Sequence, residues 1–262
     1  MIDRHRLMAL VPDCPRTADN VWPELREPPL DNLRRLFDRW GDKIADNIIV
    51  FPQKSPALIE ALLRDGRKGI IPTIWTAVPD NRPMEKWWNI WDWPPTGARA
   101  DILHFCIENK DKLAAIQIGM VSEGITNHFH PNIPTVHILQ EVLFYFHEFA
   151  GKYLLAPWEG DIRAEVVSYG WRMNNLLRVL SPTITLYCGF NLLDTPPSAE
   201  LKRWLSSLKV FTGINYEAGA RAHNLKRYVD AGMYGAVFYL PAYASPDEAD
   251  ERMRAYTTDV EG

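Results

Sequence analysis

The chain lacks most of the features that would place it in a special class. It has three cysteines, Cys14, Cys106 and Cys188, too few and too far apart for a metal knuckle or a disulfide scaffold, and an odd count leaves one unpaired. A reducing compartment fits this usage best. No apolar run approaches the roughly 18 residues that span a bilayer, and Leu143–Phe146 is typical of the longest. A soluble chain with no membrane partner is therefore expected. After Met1–Arg6 only Leu7–Val11 precedes Pro12-Asp13, so no signal-peptide core is present and a cytoplasmic location is expected. A trimmed secreted chain or a phage-borne protein would read the same way. Charge of one sign is also scarce. A net charge of -4 and a pI near 6.0 supply no general attraction for phosphates, so nucleic acid is not an expected partner. No G-x-G-x-x-G, Walker or Gly-x-Ser-x-Gly sequence occurs, which removes the usual dinucleotide, nucleotide and serine-hydrolase signatures.

What is present is an ordinary globular balance, 47% hydrophobic and 24% charged over 262 residues, enough chain to bury one sizeable core. Short apolar, β-branched runs alternate with longer amphipathic stretches from end to end, the pattern of βα units on a parallel sheet. Strands are expected at Leu7–Val11, Asn47–Phe51, Gly69–Trp75, Ala114–Met120, Tyr153–Pro157, Thr183–Tyr187, Val210–Ile214 and Gly235–Tyr239. Between them, Thr135–Ala150 carries Val136, Leu139, Leu143, Phe146 and Ala150 on one helical face, with Gly151 as a stop. Helices are also expected at Asp31–Trp40, Ala98–Lys110, Arg163–Leu180, Ser198–Ser207, Ala220–Asp230 and Pro246–Thr257. Ser55-Pro56 and Ser245-Pro246 each place a capping serine before a first-turn proline, and Glu248 completes a capping box with Ser245. Eight such repeats without a linker match a single-domain (β/α)8 TIM barrel, an α/β fold, over residues 1–262.

In that fold the residues just beyond each strand share the catalytic face. Asp13 follows the first expected strand, Glu123 the fourth, Glu159 the fifth and Glu217 the seventh. Side chains alternate along a strand, so Gln117, Gly119, Val121 and Glu123 fall together, opposite the bulky Ile116, Ile118 and Met120 that belong under helices. Phe211, Gly213, Asn215 and Glu217 oppose Val210, Thr212 and Ile214 in the same way, and Thr183, Thr185, Tyr187 and Asn191 oppose Ile184, Leu186 and Cys188. Glu123 and Glu217 are thus expected to point inward across the barrel mouth. Two carboxyl groups about 5 Å apart suit retaining glycoside hydrolysis, one as nucleophile and one as acid/base, their repulsion keeping one protonated.

Glutamates after the fourth and seventh strands are the arrangement of the clan A glycoside hydrolases, and the chain resembles that superfamily of retaining (β/α)8 enzymes over nearly its whole length. The resemblance implies that Glu123, in Val121-Ser122-Glu123-Gly124, is the acid/base and Glu217, in Asn215-Tyr216-Glu217-Ala218, the nucleophile, with Tyr187 beside it. It implies no cofactor. Two positions depart from the family: Ser122 stands where an Asn usually precedes the acid/base, and the Trp common after the eighth strand is absent, Tyr239 being nearest.

A carbohydrate partner also fits the ten tryptophans, because sugar rings stack their C–H faces on flat side chains. Trp75 ends the third expected strand, and Lys86–Pro95 then packs Trp87, Trp88, Trp91 and Trp93 into a proline-stiffened loop. Trp75, Trp88, Trp91 and Trp158 are candidate stacking residues, with Asp13, Glu159, Asn191, Tyr239, His128 and His130 as polar partners for the sugar. The loop Trp cluster serves equally as a satellite core. His128-Phe129-His130 invites a metal reading as well, in which His130, Glu123, Glu159 and Glu217 form the site of a metal-dependent barrel hydrolase or isomerase. A non-catalytic glycan-binding barrel is the third reading, motivated by Ser122. Nothing in the pattern sets an oligomeric state.

Overall fold

The segment Gly69-Ile70-Ile71-Pro72-Thr73-Ile74-Trp75 carries apolar residues on both faces, and such a run is stable only where both faces are covered, as in a parallel sheet. In the computed structural model it is the third of eight parallel strands, Gly69–Trp75 (β3), with Ile70, Ile71 and Ile74 all buried. The structure describes residues 7–11, 28–52, 55–75, 96–119, 153–161, 185–191, 199, 210–214 and 235–261. The other strands are Leu7–Val11 (β1), Ile44–Val50 (β2), Ile116–Gly119 (β4), Tyr153–Asp161 (β5), Thr185–Asn191 (β6), Val210–Ile214 (β7) and Gly235–Tyr239 (β8). They pair in chain order and β8 closes onto β1, giving a closed eight-stranded barrel and an α/β fold.

Described helices follow β1, β2, β3 and β8: Leu30–Trp40 (α1), Ala57–Arg64 (α2), Gly97–Glu108 (α3) and Pro246–Glu261 (α4). The helices expected at Thr135–Ala150, Arg163–Leu180, Ser198–Ser207 and Ala220–Asp230 lie outside the described residues, apart from Ala199, which is helical. Each described helix buries one stripe: Leu33, Leu36 and Phe37 in α1, Leu58, Ile59, Ala61 and Leu62 in α2, and Ile102, Leu103 and Cys106 in α3. Cys106 is a free thiol whose burial pushes its pKa up to about 12, so it stays protonated and unreactive. No described helix is long and apolar enough to cross a membrane.

Several boundaries differ from the sequence expectation, each for a local reason. β2 begins at Ile44 rather than Asn47, because the register slips between Leu7↔Ile44 and Ala9↔Ile48 and the exposed Asp46 interrupts the apolar pattern there. β4, Ile116–Gly119, starts two residues later than expected. β5 runs on through Pro157 to Asp161, and β6 continues past Tyr187 to Asn191. α2 starts after Pro56 rather than with it, while Ser55 Oγ accepts the Ala57 N–H at 3.3 Å. At α4 the Glu248 N–H donates to Ser245 Oγ at 3.4 Å, half of the expected capping box. The Glu248 carboxylate accepts from Arg252 at 2.6 Å. α1 starts one residue earlier than expected and α4 runs a turn further, while α3 starts one residue earlier and ends two residues sooner, all within the fraying of helix ends.

The entrance to β3 is a forced glycine. A Cβ on Gly69 would sit 1.8 Å from the Asp46 carbonyl oxygen and 2.8 Å from the Asn47 nitrogen, both backbone atoms that no rotamer change can move. Gly69→Ala therefore has to pry β2 from β3 at their first paired rung, Asn47↔Gly69. The expected loss is on the order of 3 kcal/mol, or roughly 6–12 °C in Tm for a chain of this size. A thermal melt followed by circular dichroism checks it; a shift under about 2 °C means that β2 yields freely.

Candidate active site

The candidate site is the barrel mouth, where the carboxyl ends of the strands emerge. Which residues share its inner face follows from the register. Thr73 on β3 is the Cα partner of Gln117 on β4. Both are 1% exposed, and Thr73 Oγ1 donates to Gln117 Oε1 at 3.1 Å. A buried polar pair needs this mutual satisfaction.

From that pair, alternation carries one face around the ring. It includes Leu154 on β5 and Thr185 on β6, then Tyr187 opposite Phe211 and Gly189 opposite Gly213. It continues through Val237 and Tyr239 on β8 to Met8 and Leu10 on β1, then Ile49 on β2, and returns to Ile71 on β3. The opposite face reads Ile70, Pro72 and Ile74, Ile116 and Ile118, Leu186, Val210 and Ile214, apolar save for Thr212 and Cys188. Where burial is described, both sets are covered: Ile70, Ile74 and Ile116 of the second and Ile49, Ile71, Thr73 and Gln117 of the first are all buried.

The fifth strand changes phase on the way up. Leu155 pairs with Leu186 but Trp158 pairs with Cys188, so Ala156 and Pro157 together stand opposite Tyr187. This is a β-bulge, and it is where a sheet tolerates a proline that has no N–H to donate. Without it Trp158 and Gly160 would share the face of Leu154. With it, Trp158 stands opposite Cys188, Glu159 opposite Gly189 and Asp161 opposite Asn191. Above the Thr73–Gln117 rung, Trp75 is opposite Gly119.

Of the residues named from sequence, Trp75, Trp158, Glu159, Tyr187, Asn191 and Tyr239 therefore lie on described strands. Glu159 is inside β5 rather than after it, and Tyr187 lies within β6 rather than at its end, corrections that follow from the bulge and the longer β6. Asp13, Trp88, Trp91, Glu123, His128, His130 and Glu217 lie outside the described residues. Glu123 follows Gly119, the last residue of β4, and Glu217 follows Ile214, the last of β7. Asp161, beside Asn191 in register, went unnoticed in the sequence because a strand stopping at Pro157 left it in a loop; a proline between two apolar stretches followed by an acid-x-acid pattern was the available sign. Among the described residues no group of three or more His, Cys, Asp or Glu is placed to hold a metal ion.

No family model and no curated protein sequence matches the chain. Solved structures do. A chitinase from Chromobacterium violaceum ATCC 12472 superposes with a TM-score of 0.50 at 12% identity, over 97% of this chain and 98% of the other. Subunit Z of the Clostridial cellulose synthase from Clostridioides difficile gives a TM-score of 0.51 at 8% identity, over 98% of this chain and 100% of that one. The carboxyl transferase domain of Rhizobium etli pyruvate carboxylase gives 0.50 at 9% identity, over 98% of this chain and 46% of that one. At such identities the likeness is one of fold, and the same fold serves different chemistries.

Proposed function

We propose that residues 1–262 form one (β/α)8 domain, with helices after β4 to β7 as well, and that the protein is a retaining glycoside hydrolase acting on an oligo- or polysaccharide. The observation that carries this reading is the order of barrel closure. β4 and β7 are separated by β5 and β6 on one side of an eight-membered ring, so the two strands that precede Glu123 and Glu217 in the chain end at the same rim on facing sides. Between those two stand the strand ends bearing Glu159, Asp161, Gly189 and Asn191, polar or small positions suited to a ligand rich in hydroxyls. Two of the similar structures carry the names of a chitinase and a cellulose synthase subunit, which agrees with a carbohydrate ligand.

In the proposed reaction the Glu217 carboxylate attacks the anomeric carbon while the Glu123 carboxyl gives its proton to the departing glycosidic oxygen, so one C–O bond forms as another breaks. Water then attacks the same carbon, Glu123 takes its proton, and the Glu217 ester bond breaks. The sum is one glycosidic bond and one water consumed, with the anomeric configuration kept. Trp75, Trp88 and Trp91 supply stacking, and Asp13, His128, His130, Tyr187, Asn191 and Tyr239 supply hydrogen bonds. No cofactor takes part.

The test is a panel of polysaccharides incubated with the purified protein, products read by mass spectrometry and their anomeric form by proton NMR. Cleavage with retained configuration, insensitive to EDTA, is the expected result. Inverted products overturn the double displacement, and activity lost to EDTA and restored by Zn or Mn replaces it with the metal-dependent reading using His130 and the same glutamates.

A further inference from the structure

At the other end of the barrel, where the strands begin, a cavity of about 620 Å³ opens between α1 and the loop that leads from α2 into β3. That volume is in the range of small-molecule sites. We propose that it binds a small ligand carrying one carboxylate and no second negative charge, with an amino-acid-like zwitterion as the best fit. The site is independent of the glycosidase reading.

The local chain shows how the site is built. α2 ends in a Schellman motif: Gly66 sits at φ 82°, its N–H donates to the Leu63 carbonyl at 3.0 Å, and the Arg67 N–H donates to the Leu62 carbonyl at 3.1 Å. Those bonds fix the backbone of Arg67, and its guanidinium carbon lies 3.5 Å from the centre of the Phe37 ring on α1. Stacking occupies one face of the guanidinium and leaves the N–H groups at its edge. Among the described residues no acceptor takes a hydrogen bond from them. Arg67 is half-buried, and that desolvation lowers its pKa, the mark of a cation that has given up water without gaining a direct partner. A carboxylate at that edge would form the bidentate pair that guanidinium groups favour.

The acids lining the cavity decide which anion fits. Asp65 is already taken, accepting from Arg34 Nε at 2.8 Å and from Arg34 Nη2 at 2.9 Å. Asp46 has a contact of its own, and Asp38 is exposed. Each of the three contributes a negative field at Arg67. Lys68 adds a positive charge next in the chain, so the lining carries Arg67 and Lys68 together with Asp38 and Asp46. A polyanion such as phosphate or a dicarboxylate is repelled by those acids. A single carboxylate is accepted by Arg67, and an ammonium group on the same ligand is drawn to Asp38.

The experiment titrates the full chain, isotopically labelled, with free phenylalanine, hydrocinnamate, phthalate and inorganic phosphate, and follows backbone amide shifts by NMR. The expected result is binding in the order phenylalanine, hydrocinnamate, then the two polyanions, with shifts concentrated at Gly66–Gly69. Arg67→Met, which keeps an unbranched chain against Phe37, is expected to weaken phenylalanine at least tenfold while leaving the melting curve cooperative. Should that variant fail to fold, the shift map on the native chain decides by itself. Tighter binding of phosphate or phthalate than of hydrocinnamate, shifts away from Gly66–Gly69, unchanged affinity in Arg67→Met, or no binding by any probe each overturns the proposal. Glu123→Gln leaves these titrations unchanged, so a failure of the glycosidase reading shows in turnover alone.

Discussion

Glutamine in place of Glu217 is expected to reduce kcat on the cleaved glycan by roughly ten-thousandfold, and glutamine in place of Glu123 by roughly a hundred- to ten-thousandfold. The sizes differ because the two acids do different work. An amide at position 217 cannot form the glycosyl ester, so the first displacement has no substitute in the chain. An amide at position 123 removes proton donation, and the penalty depends on how much help the leaving group needs. With a nitrophenyl leaving group the Glu123→Gln enzyme should still form the glycosyl intermediate, accumulate it and show a burst, and its pH profile should lose the alkaline limb that reports the acid. Neither variant should alter the thermal melt by more than about 1 kcal/mol, since both positions follow strand ends rather than belong to the strand core. If both variants keep native turnover, the assignment of these glutamates is wrong whatever the fold.

The barrel was legible because its strands are buried on both faces and its helices on one, two periods that seldom mimic each other. Leu7–Val11, Gly69–Trp75, Val210–Ile214 and Gly235–Tyr239 read correctly to the residue, each a compact, mainly apolar run. The departures came where register, a long-range property, outweighs local pattern. The slip that starts β2 at Ile44 answers to β1 across the sheet, and the bulge that carries β5 past Pro157 answers to β6. A proline in an apolar run ordinarily ends a strand, and only the partner strand reveals that two residues are being fitted opposite one.

The same distinction divides the two candidate sites. That Tyr187 and Asn191 share one face of β6 could be anticipated from alternation, whereas the register of Glu159 could not, because it depends on the bulge. The Arg67 cavity could not, because it is made by α1, β2 and the β3 entrance, segments that the sequence gives no reason to associate with a ligand. Asp65-Gly66 signals only a helix end. What makes Arg67 notable is a ring on another helix and the prior engagement of Asp65 by Arg34, both tertiary facts.

Where β8 closes onto β1, the first and last described helices also meet, and one carboxylate joins them. Asp250 on α4 is 6% exposed; its Oδ1 accepts the Trp40 indole N–H at 3.0 Å and its Oδ2 faces Arg39 Nε at 3.0 Å, with Arg35 Nη1 at 3.5 Å from Oδ1. The Asn32 amide adds a bond to the Ala242 carbonyl at 3.1 Å, so α1 is tied both to α4 and to the turn that leads into it from β8. Asp250→Ala strands the indole N–H and leaves Arg35, two of whose nitrogens are buried without a hydrogen-bond partner, with no carboxylate. A loss of about 2–4 kcal/mol is expected by urea denaturation. Asp250→Asn should lose less, since one amide oxygen can still serve Trp40 but the NH2 then meets Arg39 donor to donor. The pH dependence has a definite sign. The Trp40 hydrogen bond, followed by the charges of Arg39, Arg35 and Arg254, holds the Asp250 pKa below the ordinary carboxylate value, against the opposing pull of desolvation. Its contribution is therefore fully present above the unfolded-state pKa and is lost as pH falls through the lower folded-state value. Unfolding free energy measured from pH 7 down to pH 2 should fall less steeply below about pH 4 for Asp250→Asn than for the native chain. Parallel acid limbs in the two proteins would show that Asp250 contributes to the α1–α4 contact by shape rather than by charge.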